Sequence, residues 1–313
     1  MRLVFLGTPD FAVPTLEKIV EAGHEVAAVF TQPDRPKGRG RQFAAPPVKE
    51  AAMRFGLRVE QPDRIRTPEV LELLRGFGAG AMVVVGYGKI VPQTIIDLAP
   101  LGIVNVHASL LPKYRGAAPV QWAVANGETR TGVTTMRIDA GLDTGDILLQ
   151  EETGIGDEET AIEVGARLSQ IGAALLVETL ERLRTGTAQP RPQEAAAATF
   201  APILKKEDGR IDWTRPAREI HNRARGFLPW PGCHTLLRGR ILEVRKTRVT
   251  AESFEAPPGT ARAERGRLLV SAGAGTTLEL VEVQLEGKKQ MNAAAFLNGF
   301  HLVHNELLGA MNQ

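Results

Sequence analysis

Ile103-Val104-Asn105-Val106-His107-Ala108-Ser109-Leu110-Leu111-Pro112 begins as a strand and ends where no strand can continue. Side chains two apart on a strand share a face, so Asn105 and His107 point one way while Val104 and Val106 point the other. A core strand would carry apolar groups at 105 and 107 as well. Here a carboxamide and an imidazole stand side by side, and Pro112 and Gly116 stop regular pairing just beyond them. Ligands of open α/β sheets bind outside the carboxyl ends of the strands. This strand end is therefore the expected active site.

Upstream, residues 2–6 read as a buried strand, Gly7-Thr8-Pro9-Asp10 as the turn into a helix ending near Gly23, and residues 24–30 as a second strand. The run 81–85 is continuously apolar, as in strands covered on both faces. It leads into Gly86-Tyr87-Gly88, where backbone can come close to a ligand. Downstream, residues 132–138 and 146–150 read as further strands. A helix from about residue 158 to 184 follows, with Val164, Leu168, Ile171 and Leu175 at helical spacing. The expected fold class is α/β, a Rossmann-like and largely parallel sheet. The lone Gly7 is not a G-x-G-x-x-G fingerprint, so a dinucleotide site is only weakly supported.

Gly186 ends the long helix, and Pro190, Pro192 and Pro202 surround an alanine tract that reads as an interdomain linker over 188–204. A catalytic domain is expected over 1–187 and a second domain over 205–313. In the second, one helical stretch (217–225) precedes short β-like runs at 235–237, 241–249, 267–271 and 276–285, separated by glycine turns. That spacing predicts a small OB-like β-barrel.

A chain of 313 residues that is 43% hydrophobic and 24% charged has room for two domains with full cores. No apolar run approaches the ~20 residues that span a bilayer, and the run 2–6 is too short for a secretory signal. One cysteine, Cys233, excludes an internal disulfide framework and fits a reducing compartment, so a cytoplasmic protein is expected. The net charge of +2 is uneven: residues 205–250 hold twelve Lys/Arg against five Asp/Glu. Such asymmetry suggests a polyanionic partner, against the alternative of a solvated basic face. A Pro- and Gly-rich loop carries Arg35, Lys37, Arg39 and Arg41 at alternate positions, a pattern suited to phosphate contacts.

Asn105 can donate to a carbonyl oxygen as negative charge develops there. An imidazole at 107 can carry a proton from an attacking amine to a leaving one. A carboxylate is needed to orient it, and Asp139, Asp143 and Asp146 are the nearest along the chain. Asp143, between Gly141 and Gly145, can be aimed by an unusual backbone path. No G-x-S-x-G motif, P-loop or metal-ligand spacing of histidines is present in the sequence. The expectation is direct group transfer through a tetrahedral intermediate, with no metal.

Asn105-Val106-His107-x-Ser109-Leu110-Leu111-Pro112, Gly116-Ala117-Ala118-Pro119 and Gly141-Leu142-Asp143-Thr144-Gly145-Asp146 resemble the signature of the 10-formyltetrahydrofolate-dependent formyltransferases. Gly7-Thr8-Pro9-Asp10-Phe11, Thr31-Gln32-Pro33-Asp34-Arg35-Pro36 and Pro229-Trp230-Pro231-Gly232 extend the similarity over nearly the whole chain. The resemblance implies 10-formyltetrahydrofolate as formyl donor and the α-amino group of methionyl-initiator tRNA as acceptor. It implies catalytic roles for Asn105, His107 and Asp143. Folate contacts are implied at Ser109, Leu110, Leu111 and Pro112, and around Gly86, Tyr87, Gly88 and Ile90. Arg35, Lys37, Arg39 and Arg41 are implied at the acceptor end of the tRNA. Lys205, Lys206, Arg245, Lys246 and Arg248 are implied along its backbone, on an OB-type barrel. No heptad pattern demands a partner, so a monomer is expected.

Overall fold

The fold is that of a computed structural model, which describes residues 1–37 and 42–309. The described residues form two compact units. One takes Met1–Pro119, Arg130–Gly154 and Gly165–Ala201; the other takes Val120–Thr129, Ile155–Val164 and Pro202–Gln313.

The first unit is built on a seven-stranded sheet. Its spatial order is Ile147–Gly154, Arg130–Arg137, Ile103–His107, Ala81–Val85, Arg2–Gly7, Glu25–Phe30, Val59–Glu60. From Ile103–His107 to Val59–Glu60 the strands are parallel; Arg130–Arg137 and Ile147–Gly154 join antiparallel. Ala81–Val85 is buried at every position, which is why its sequence does not alternate. Leu6, Phe30, Leu74, Met82, Tyr87 and Ile95 belong to one core cluster, and Phe30 meets Phe77 edge to face at 6.2 Å between ring centres.

Strand order reverses between Arg2–Gly7 and Ala81–Val85, the place where such sheets open a crevice. The two turns touch there. A Cβ on Gly86, at φ +57, would lie 2.9 Å from Pro9 Cγ.

Where the sequence reads as an irregular loop, Arg35–Lys37 and Gln42–Ala44 pair as a two-stranded antiparallel ribbon with Pro36 opposite Phe43. A ribbon leaves outer edges unpaired, which is where proline is tolerated in sheets. The long helix is Ala161–Arg184. Thr160 and Glu163 exchange hydrogen bonds at its start, a capping box that sets the first turn. Beyond that helix, Arg191 and Ile147 exchange main-chain hydrogen bonds of 2.9 and 2.8 Å, and Phe200–Ala201 pairs in parallel with Arg115–Gly116.

In the second unit an antiparallel sheet runs Cys233–Leu237, Arg240–Thr250, Thr277–Leu285, Arg267–Ser271, Thr260–Glu264, Glu306–Leu307. Leu308 N–H bonds the Gly259 carbonyl and Gly309 N–H the Leu236 carbonyl, so one short segment ties both edges and the sheet curls into a small barrel. Arg238-Gly239 and Arg265-Gly266 form two-residue hairpin turns with φ positive at both positions, the geometry that matches strand twist. Among the described residues no helix is long and apolar enough to cross a membrane.

Candidate active site

Asn105 and His107 sit at the carboxyl end of Ile103–His107, in register with Met136 and Thr134 of the antiparallel neighbour. The His107 ring is buried. Its Nε2 lies 2.9 Å from the carbonyl oxygen of Tyr114, and its Nδ1 lies 3.7 Å from Asp143 Oδ2. Two acceptors therefore flank one ring. The Tyr114 carbonyl is within hydrogen-bond distance, and the Asp143 carboxylate stands just beyond it.

Of the three acids that the sequence leaves open, Asp143 is the one that reaches the imidazole. Its φ is +51, and its Oδ2 also accepts from the Gly116 N–H at 2.8 Å. Asp139 is spent on building the turn, accepting from the Gly141 N–H at 3.0 Å and the Thr144 hydroxyl at 2.7 Å. Asp146 contributes its main-chain carbonyl to the Arg137 N–H. The flanking glycines are steric necessities: a Cβ on Gly145 would lie 1.9 Å from the Arg137 carbonyl oxygen.

The turn after the strand is held from beneath. The Thr134 hydroxyl donates to the Ser109 carbonyl at 2.7 Å and accepts from the Leu111 N–H at 3.1 Å. Gln150 donates to the Leu111 carbonyl at 2.8 Å. Ser109 and Leu111 are buried, Ser109 with its hydroxyl on the Lys113 carbonyl, so their side chains face inward. Leu110 and Pro112 stay partly exposed.

Gly86 and Gly88 are exposed with positive φ, and Ile90 is 74% exposed. Tyr87 differs from its neighbours. Its ring lies in the core, its hydroxyl has no hydrogen-bond partner, and burial pushes its pKa up to about 12. Only its carbonyl is engaged toward the crevice turn, by the Thr8 hydroxyl at 3.2 Å and Gln32 Nε2 at 2.9 Å. Any folate contact from Tyr87 is thus a backbone contact. Gly86 and Gly88 expose backbone, while Ile90, Leu110 and Pro112 expose apolar surface.

Arg35 is exposed on the ribbon and Lys37 ends its first strand; Arg39 and Arg41 lie outside the described residues. In the second unit Lys205, Lys206, Lys246 and Arg248 are exposed. Arg245 is tied to Glu243 and, at 2.9 Å, to Gln284. Arg248 approaches Glu279 at 3.6 Å, a carboxylate that Arg267 also holds at 3.0 Å. Internal pairing therefore offsets part of the positive charge that composition counts.

Sequence reasoning missed Arg115 and Gln193. Arg115 is buried, and its guanidinium donates to Gln193 Oε1 at 3.1 and 2.7 Å. Gln193 Nε2 donates to the carbonyls of Asp143 at 2.9 Å and Gly145 at 2.7 Å. Nothing local marks these residues, because their partners lie about fifty to eighty positions away. The tract carries two glutamines, Gln189 and Gln193, and nothing in the sequence tells one from the other.

A formyl transferase family model matches residues 1–180, and the formyl transferase C-terminal domain model matches residues 203–301. The chain belongs to the formyl transferase family. Within it, two relatives that align end to end carry the same name. The methionyl-tRNA formyltransferase of Solibacter usitatus is 63% identical over 309 residues, 99% of each chain. That of Koribacter versatilis is 56% identical over 313 residues, all of both chains. Among solved structures, the N-formyltransferase from Helicobacter canadensis in complex with folinic acid and dTDP-3-aminofucose matches with a TM-score of 0.66 at 19% identity. It covers 89% of this chain and 98% of its own. HypX from Aquifex aeolicus in complex with tetrahydrofolic acid gives 0.63 at 15% identity, over 95% of this chain and 47% of that one. These two likenesses concern the fold.

Proposed function

We propose that the chain transfers the formyl group of 10-formyltetrahydrofolate to the α-amino group of methionyl-initiator tRNA, acting as a monomer in the cytoplasm. The observation that carries this reading is the buried His107 imidazole between the Tyr114 carbonyl and the Asp143 carboxylate, one strand position pair from Asn105. The folate supplies an activated formyl carbon. Asn105 donates to the formyl oxygen as the amine adds and charge builds on it. His107, backed by Asp143, takes the proton that the amine loses and delivers it to the departing folate nitrogen. One C–N bond forms, one breaks, and one proton crosses. The main chain around Gly86 and Gly88, with the 109–112 turn, holds the pterin.

On the tRNA side, Arg35, Lys37, Arg39 and Arg41 meet the acceptor end, and Lys205, Lys206, Arg245, Lys246 and Arg248 meet backbone phosphates. Affinity then falls with salt, with a log–log slope of about −0.9 per duplex phosphate neutralised. Binding that ignores salt would contradict this placement. The deciding assay offers charged initiator tRNA, charged elongator tRNA and a nucleotide-sugar amine with the same donor. Formylation confined to the initiator is expected, and preference for the small amine would overturn the reading.

A further inference from the structure

We propose that Gln193 is a positioning residue of the transfer reaction, setting the Asp143 turn against His107. This rests on the assignment of Asp143 above and names the device that holds it. The orientation of the Gln193 carboxamide is fixed by its surroundings. Arg115 donates to its oxygen twice, at 3.1 and 2.7 Å, so its nitrogen must face the turn, where it donates to the carbonyls of Asp143 and Gly145 at 2.9 and 2.7 Å. Turning the amide over would set oxygen against two carbonyls and NH2 against a guanidinium, losing all four contacts.

Asp143 needs such support. At φ +51 it adopts a backbone conformation that L-residues seldom hold unaided. Its carboxylate is held by the Gly116 N–H at 2.8 Å, and Gly116 directly follows the arginine that orients Gln193. One dipeptide thus governs both ends of Asp143: the side chain directly, the main chain through Gln193. Arg115 itself is a buried guanidinium whose described side-chain hydrogen bonds all go to Gln193.

The same segment reaches the other side of the imidazole. Thr199 Oγ1 accepts from the Tyr114 N–H at 2.9 Å and the Thr199 carbonyl from the Arg115 N–H at 2.9 Å, and the Tyr114 carbonyl is the partner of His107 Nε2. A stretch that composition marks as a linker therefore braces both acceptors of the catalytic ring.

The test is single-turnover formyl transfer by the full-length chain, wild type, Gln193→Met, Gln193→Glu, Asp143→Asn and the double variant Gln193→Met/Asp143→Asn. Gln193→Glu keeps the Arg115 acceptor but sets a carboxylate oxygen against both turn carbonyls, whereas Gln193→Met removes the donors without that repulsion. A near-native thermal midpoint shows which variants keep the fold. The saturated rate is expected to fall by about 10²-fold in Gln193→Met and Gln193→Glu, the scale of a small misplacement of reacting groups. KM for formyl donor and tRNA should stay within about twofold, because a residue that acts only on the transition state leaves ground-state binding alone. The double variant should match Asp143→Asn alone, because both act through one group. Wild-type rates in Gln193→Glu, or losses that multiply in the double variant, overturn the positioning role while leaving Asp143 in place. A wild-type rate in Asp143→Asn overturns the catalytic assignment and this inference with it.

Discussion

Replacing Asn105 by Ala removes the one carboxamide on the site strand, and the single-turnover rate should drop about 10²–10³-fold, the usual cost of an oxyanion donor. Folate and tRNA affinities should hold; an equal loss in binding would place Asn105 in recognition instead. Tyr87 allows a cleaner stability test. Its buried hydroxyl lacks a partner, so Tyr87→Phe removes an unmet polar group at no loss of packing and should leave the urea midpoint unchanged or raised. A marked fall would mean that the hydroxyl is bonded. At this scale the sequence was informative wherever a polar group broke a strand's apolar period, as at 105 and 107. It was silent wherever a side chain works through distant backbone. The choice among Asp139, Asp143 and Asp146 depends on turn dihedrals, and the partnership of Arg115 with Gln193 on a chain reversal seventy-eight residues long. Gly141 and Gly145 hinted at the first without fixing it, and no local pattern encodes the second.

At the scale of elements, Gly116 joins the site to the segment that braces it. Its φ is +122, and a Cβ there would lie 2.6 Å from the Ala201 carbonyl oxygen. Gly116→Ala must push the Phe200–Ala201 strand off Arg115–Gly116 or twist the backbone that holds Asp143. A loss of about 1–3 kcal/mol is expected from the strained backbone alone, read as a lower denaturation midpoint, together with slower transfer. Wild-type stability in this variant would show that the pairing is dispensable. The inner parallel strands were legible from unbroken apolar runs, and the hairpins from Gly239 and Gly266. The strand Thr260–Glu264 was not: Thr-Ala-Arg-Ala-Glu alternates, but its apolar positions are only alanines and it has a single β-branched residue, so it is held by its neighbours in the sheet. Closure of the barrel by two-residue Glu306–Leu307 is too short to leave any periodic trace.

The whole molecule should show its buried histidines in the pH dependence of stability. Burial above all holds the His221 pKa below its ordinary value, outweighing the Asp157 carbonyl and Glu158, which favour the charged ring; Arg225 and Arg218 add to the lowering. His24 and His234 are shifted the same way, burial again leading. A folded pKa below the unfolded value of about 6.5 means that the unfolded chain takes up protons first as pH falls. Stability from these groups is complete above about pH 6.5 and declines below it. Depressed carboxylates such as Asp212 and Glu306 enter only near and below about pH 4. The thermal midpoint should therefore fall between pH 7 and about pH 5.5, and fall less in His221→Gln; equal slopes would remove His221 from the account. Charge asymmetry between the halves of the chain was plain in composition, but its partial cancellation by Glu243 and Glu279 required the folded sheet.

All three scales meet in the imidazole at 107, and the most direct measurement is the single-turnover rate of formyl transfer from 10-formyltetrahydrofolate to methionyl-initiator tRNA in wild type and His107→Ala, both substrates saturating. The rate is predicted to fall by about 10²–10⁴-fold, the contribution of a positioned proton carrier, with binding of both substrates retained. A His107→Ala variant that transfers at close to the wild-type rate would contradict the account at its centre.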